Sequence, residues 1–151
     1  MILSPQINSI DKLHAMSEEN TSPQRTRILL VEDNTTNQIV ANGILETFNL
    51  KTDTANNGEE ALSALKDALE VKPYTLVLMD CQMPILDGYS ATEAIRRGDA
   101  GEENKNIPIV AMTANAMQGD KEKCLNVGMD DYLSKPINPD KLQEALQKWL
   151  S

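Results

Sequence analysis

Positive charge is scarce in this chain: 14 lysines and arginines face 23 aspartates and glutamates, for a net charge of −9. Phosphate backbones and anionic membrane surfaces repel such a chain, which argues against direct binding to nucleic acid or to lipid headgroups. Carboxylates that converge can still hold a divalent cation. No apolar run approaches the roughly 20 residues of a membrane-spanning helix. The opening "MILSPQINSIDKLHAMSEEN" has no basic start followed by a long apolar run, so no secretory leader is read there and a cytoplasmic setting is expected. Cysteine is limited to Cys81 and Cys124, without zinc-type spacing. This suits a reducing compartment and argues against a disulfide scaffold. Histidine occurs once, at His14, far in sequence from either cysteine, so a Cys–His nucleophile pair is not expected.

What is present is a normal share of hydrophobic residues, 40%, on a chain long enough for one domain with a real core. Residues 1–25 are rich in Ser, Asn, Gln, Glu and Pro and read as a linker or flexible tail, most clearly in "MSEENTSPQR" (Met16–Arg25). Ile7, Ile10, Leu13 and His14 could share a short helix within it. Residues 26–151 alternate strand and helix signals. "RILLVE" (Arg27–Glu32) is a strand covered on both faces. After cap candidates at Asn34–Asn37, a helix carries Ile39, Val40, Ile44, Leu45 and Phe48 on one side. "KTDTA" (Lys51–Ala55) is a weaker strand, and Ala61, Leu62, Leu65, Ala68 and Leu69 keep helical spacing. Thr75–Asp80 is a third strand, followed by a helix from about Gly88 to Arg97. "GDAGEENKN" (Gly98–Asn106) reads as a mobile polar loop. "IPIVAMT" (Ile107–Thr113) and "DYLSKP" (Asp131–Pro136) supply the last two strands, with a short helix between them. A final helix sets Leu142, Ala145, Leu146 and Trp149 on one stripe. Five βα units in succession predict an α/β doubly wound parallel sheet, with its site beyond the carboxyl ends of the strands.

The strand ends share a chemistry. The first ends in Glu32 and Asp33, the third in Asp80, the fourth in Thr113, and the fifth is followed by Lys135 and Pro136. Crowded carboxylates repel, and a divalent cation removes that conflict. Mg²⁺ prefers one or two carboxylates together with waters and phosphate oxygens. Asp80 could then act as a nucleophile on phosphorus, a known role for carboxylates. Lys135 and Thr113 could neutralise and hydrogen-bond the oxygens of a transferring phosphoryl group. No glycine-rich phosphate loop occurs, so ATP is not the expected donor. Taken singly, Asp80 would be a turn cap, Glu32–Asp33 a solvated helix start, Thr113 a turn residue and Lys135 a surface lysine. Their joint placement outweighs those readings.

Four segments resemble the receiver domain of two-component response regulators: "ILLVEDN", "VLMDCQMPILDGYSAT", "IPIVAMTANAM" and "GMDDYLSKPI". The resemblance runs from about Arg25 to Leu150 and implies a flavodoxin-like fold, with sheet order 2-1-3-4-5 and five helices. It implies that Asp80 is the phosphoacceptor. Asp33, Asp80 and the Gln82 backbone carbonyl would be Mg²⁺ ligands, with Glu32 as the partner acid acting through water. Thr113 and Lys135 would contact the phosphoryl group, Thr113 and Tyr132 would switch, and Gln82 and Asn115 would tune hydrolysis. Tyr132 could equally be a half-buried edge residue. The Lys135–Pro136 bond is expected to be cis.

The segments are most similar to receivers of hybrid sensor histidine kinases. That implies a phosphohistidine donor, a histidine phosphotransfer partner docking largely on the first helix, and a possible tether to a membrane-bound kinase. No output domain is expected after Trp149, a reading that favours this origin over a transcription factor. The alternative is a freestanding single-domain regulator acting through phosphorylation-dependent binding. His14, in "HAMSEE", lacks the pattern of a kinase phosphohistidine. An aspartate-nucleophile phosphatase would carry a second acid where Gln82 stands. A flavin binder would need a phosphate-cradling loop where "EDNTTN" stands.

Overall fold

Strands without polar interruptions need cover on both faces, and that is how the sheet is built. In a computed structural model describing residues 26–114 and 118–150, β1 (Ile28–Val31), β3 (Leu76–Asp80) and β4 (Ile109–Thr113) are buried along their whole length. The more polar β2 (Thr52–Ala55) and β5 (Asp131–Ser134) form the edges. All pairings are parallel, in the order β2-β1-β3-β4-β5. Around the sheet stand α1 (Thr35–Thr47), α2 (Gly58–Ala68), α3 (Gly88–Arg97), α4 (Gln118–Asn126) and α5 (Pro139–Leu150).

Alternation along each strand divides the core in two. Leu29, Val77, Met79 and Ile109 face α2 and α3, packing with Leu65 and Ile95. Leu30, Leu76, Leu78 and Val110 face the other way, with Leu45 of α1 and Leu146 of α5. The order of strands reverses between β1 and β3, so the crevice beyond their carboxyl ends is the switch point of the sheet. Asn34, Asn57 and Asp87 cap α1, α2 and α3, each accepting a backbone N–H at 2.7–3.0 Å.

Two expectations are corrected. The buried stripe of α1 is Ala41 and Leu45, continued by its C-cap Phe48, with Ile44 packed at its margin; Ile39 and Val40 are exposed, at 66% and 44%. The loop 98–106 is pinned by Asn104, which is buried and donates from Nδ2 to the carbonyls of Leu65 and Ala100, each at 2.9 Å. A 3₁₀ turn, Glu102–Asn104, carries it. The end of α3 is fastened by Arg96, whose guanidinium donates to the carbonyls of Gly128, Lys105 and Ile107 and to Asp130 Oδ2 at 2.8–2.9 Å. Asp130 in turn accepts from Ile109 N at 2.8 Å. The Lys135–Pro136 bond is cis. The reading of residues 1–25, His14 included, and that of Asn115 fall outside the described residues.

Candidate functional site

Each strand delivers its residue by ending. Asp80 is the last residue of β3, and Thr113 the last of β4, paired with Ser134. Glu32 directly follows β1, and Lys135 directly follows β5. Lys135 N donates to Thr113 O at 2.8 Å, and Glu32 N to Ala55 O at 3.0 Å, so both are held as continuations of the ladder. Glu32, Asp80 and Thr113 are buried, at 1%, 3% and 5% exposure, whereas Asp33 faces solvent.

The side chains converge. Lys135 Nζ lies 2.9 Å from Glu32 Oε1 and 3.1 Å from Asp80 Oδ1. Glu32 Oε2 also accepts from Asn34 N at 3.2 Å, and Asp80 Oδ1 accepts from Gln82 N at 3.2 Å. One carboxylate oxygen from each of Glu32, Asp33 and Asp80 lies within 4.8 Å of the others. One ammonium shared by two buried carboxylates cannot compensate both. Burial, aided by the charge of Glu32, pushes Asp80 up to about 7 against the pull of Lys135 and the Gln82 amide. Glu32 is also raised by burial, but hydrogen bonds from Lys135 and Asn34 outweigh this and leave it below its ordinary value. Burial would lower Lys135, yet its two carboxylate partners hold it above the usual lysine range.

The donor set fits a hard cation. Three carboxylate oxygens face the crevice, none soft, and the single lysine leaves negative charge in excess. Gln82 lies exposed in the turn after Cys81. Tyr132 is half-buried on β5 against the α2/α3 side of the core, with Lys121 Nζ 5.5 Å from its ring centre.

Sequence reasoning missed Gly88. A Cβ there would lie 2.1 Å from the carbonyl oxygen of Asp80, so α3 can start against the end of β3 only without a side chain. Gly88 N also donates to Cys81 O at 3.1 Å. The signal was the Asp-Gly pair, legible as a helix start but not as a contact.

A five-stranded doubly wound sheet with an acid cluster and a lysine at its switch point defines a receiver-type α/β domain. The chain belongs to the response regulator receiver domain family, whose sequence model matches residues 28–147. It is 41% identical over 132 residues to the sensor histidine kinase GacS of Pseudomonas protegens, and 45% identical over 121 residues to hybrid signal transduction histidine kinase I of Dictyostelium discoideum. These matches cover 87% and 80% of this chain but only 14% and 7% of those relatives' lengths. Among solved structures, the receiver domain of a Pseudomonas aeruginosa PAO1 sensor histidine kinase, with magnesium coordinated in its active site cleft, is 45% identical. The match covers 83% of this chain and 97% of that one, with a TM-score of 0.71. The receiver domain of Saccharomyces cerevisiae Ssk1, crystallised with the histidine phosphotransfer protein Ypd1, is 33% identical at a TM-score of 0.70, with 82% and 88% of the two chains covered. No described helix is long and apolar enough to cross a membrane.

Proposed function

We propose that this domain takes a phosphoryl group from a phosphohistidine onto Asp80 and passes it to a histidine phosphotransfer partner, as the receiver of a hybrid sensor histidine kinase. The observation that carries the reading is the meeting of Asp80, Glu32, Asp33 and Lys135 beyond the carboxyl ends of the strands. Asp33, Asp80 and the Gln82 carbonyl would hold Mg²⁺, with Glu32 behind them acting through water. When bound, the ion supplies the positive charge that keeps Asp80 ionised and neutralises phosphoryl oxygens.

The chain's own groups do the rest. An oxygen of Asp80 attacks phosphorus, the bond from phosphorus to the imidazole nitrogen breaks, and the imidazole leaves to take up a proton. Lys135, already 3.1 Å from Asp80, turns its charge to a phosphoryl oxygen. Thr113, at the end of the adjacent strand, donates its hydroxyl to another. Drawing Thr113 inward shifts the segment after β4, and Tyr132 on β5 repacks with it. Gln82 and Asn115, by their sequence positions two residues beyond Asp80 and Thr113, are assigned the tuning of how long the acyl phosphate lasts. The exposed Ile39 and Val40 on α1, the helix that follows Glu32 and Asp33, offer the apolar contact a partner helix needs. The identity to receivers of hybrid kinases supports this origin over a freestanding regulator.

The test is incubation with a small acyl-phosphate donor, with and without Mg²⁺, read by intact mass. One phosphoryl group is expected, dependent on Mg²⁺ and absent in Asp80→Asn; its persistence in that variant would falsify the assignment. Ile39→Asp should keep modification by the small donor yet lose transfer from a phosphorylated histidine phosphotransfer protein.

A further inference from the structure

The residue that follows Asp80 is a thiol with a thiol neighbour. Cys81 Sγ and Cys124 Sγ lie 3.8 Å apart, at 1% and 0% exposure, although 43 residues separate them in sequence. Their settings differ. Cys81 is fixed from both sides: its N–H donates to Met112 O at 3.0 Å, and its carbonyl accepts from Gly88 N at 3.1 Å. Cys124 belongs to α4, the most polar of the helices, and among that helix's described side chains it alone is fully buried. Its other described contacts, Lys121 over Tyr132 and Lys123 over Tyr89, are made by exposed lysines, so the buried part of its seat is one sulfur resting on the other. A disulfide needs about 2.05 Å between sulfurs, so the gap must close by about 2 Å. A helix with one buried anchor can make that move, whereas the strand end cannot.

We propose that Cys81 and Cys124 form a redox-sensitive pair, which hydrogen peroxide joins as a disulfide tying α4 to the strand end beside Asp80. Cys124 is oxidised first, because it rides the less anchored element. Its sulfur attacks one peroxide oxygen, the O–O bond breaks, and the other oxygen leaves as water with the thiol proton. The Cys81 sulfur then displaces the hydroxyl of the sulfenic acid. The S–S bond forms, the S–O bond breaks, and the second oxygen leaves as water with the Cys81 proton. Two thiols are oxidised and one peroxide is reduced. Both thiols are enclosed and protonated, so the reaction proceeds through openings of α4 and is slower than at an exposed thiolate.

The consequence concerns the element after β4, which the phosphorylation reading sets in motion. A helix held by a covalent bond to residue 81 cannot follow Thr113 freely. That part rests on the reading of Asp80 as phosphoacceptor; bond formation does not.

The experiment treats the reduced protein with hydrogen peroxide and follows intact mass under non-reducing conditions, with thiol alkylation. The chain has two cysteines, so loss of two hydrogens from the monomer identifies this bond. The expected result is that species, reversed by a dithiol reductant and absent in Cys124→Ser and Cys124→Ala. Exchange of the amides of residues 119–126 should slow at least ~10-fold in the oxidised form. Sulfinic acids, intermolecular disulfides, or a bond that forms only in denaturant would overturn the proposal. If the bond forms and slows exchange but leaves Mg²⁺-dependent phosphorylation unchanged, the link to signalling fails while the site reading stands. If Asp80 is not the modified residue, the site reading fails while the thiol pair stands.

Discussion

Lys135 Nζ sits 3.1 Å from Asp80 Oδ1 and gives the same charge to Glu32. The pair Lys135–Asp80 is thus under-compensated, and Asp80 is left with a raised affinity for its proton, up to about 7. Between about pH 4 and 7 the folded protein holds a proton that the unfolded chain has released. Without divalent cations, stability therefore falls as pH rises through that window and levels off above it. Asp80→Asn should flatten this slope and raise stability at pH 8 by on the order of 2 kcal/mol. Urea unfolding across pH with a chelator present checks it. Added Mg²⁺ should stabilise the parent far more than the variant; equal gains would contradict the proposed site.

Gly88→Ala should destabilise the domain by about 3 kcal/mol, because the new methyl overlaps the Asp80 carbonyl. The backbone that must give way is the one carrying the phosphoacceptor candidate, so phosphorylation by a small donor should fall along with the urea midpoint. Gly43→Ala, at a helical position with nothing within 4 Å of the added methyl, should instead be neutral or stabilising.

Ile85 adopts a φ of 70° while 72% exposed. A β-branched residue is strained there, and its side chain recovers little by burial. Ile85→Gly should raise stability by about 1 kcal/mol, read as a higher urea midpoint with unchanged slope. Asn49, at a φ of 61°, should gain less from the same change, since asparagine tolerates this region.

Arg96→Lys should cost about 3 kcal/mol, close to the loss in Arg96→Met. The planar fork reaches three carbonyls and a carboxylate at once, and a single ammonium cannot. Near-complete rescue by lysine in thermal unfolding would show that charge, and not geometry, is what matters there.

The sheet was legible because buried parallel strands leave unbroken apolar runs: Ile28–Val31 and Leu76–Met79 announce themselves, and the residue that breaks each run lies at the crevice. Glu32, Asp80, Thr113 and Lys135 were therefore placed by counting to the end of a strand. Features that depend on distance in space were not readable. Leu45 and Phe48 of the expected stripe are buried, yet Ile39 and Val40 are left outside it and Ala41 takes the place beside those two. Small alanine scores weakly in a hydrophobic pattern although it lets a helix approach closely. Asn104 lies in a run of polar residues, and only the carbonyls of Leu65 and Ala100 reveal why it is inside. Nothing in "AIRRGDAG" forecasts that Arg96 reaches residues up to 34 positions away.

The Arg96 clasp joins α3, the turn before β4 and the approach to β5 around the amino ends of the strands, away from the acid cluster. Cohesion at the base and chemistry at the opposite rim then reside in different residues. Substitutions among the residues that follow Asp80 can then change the chemistry of the rim while the foundation keeps its shape.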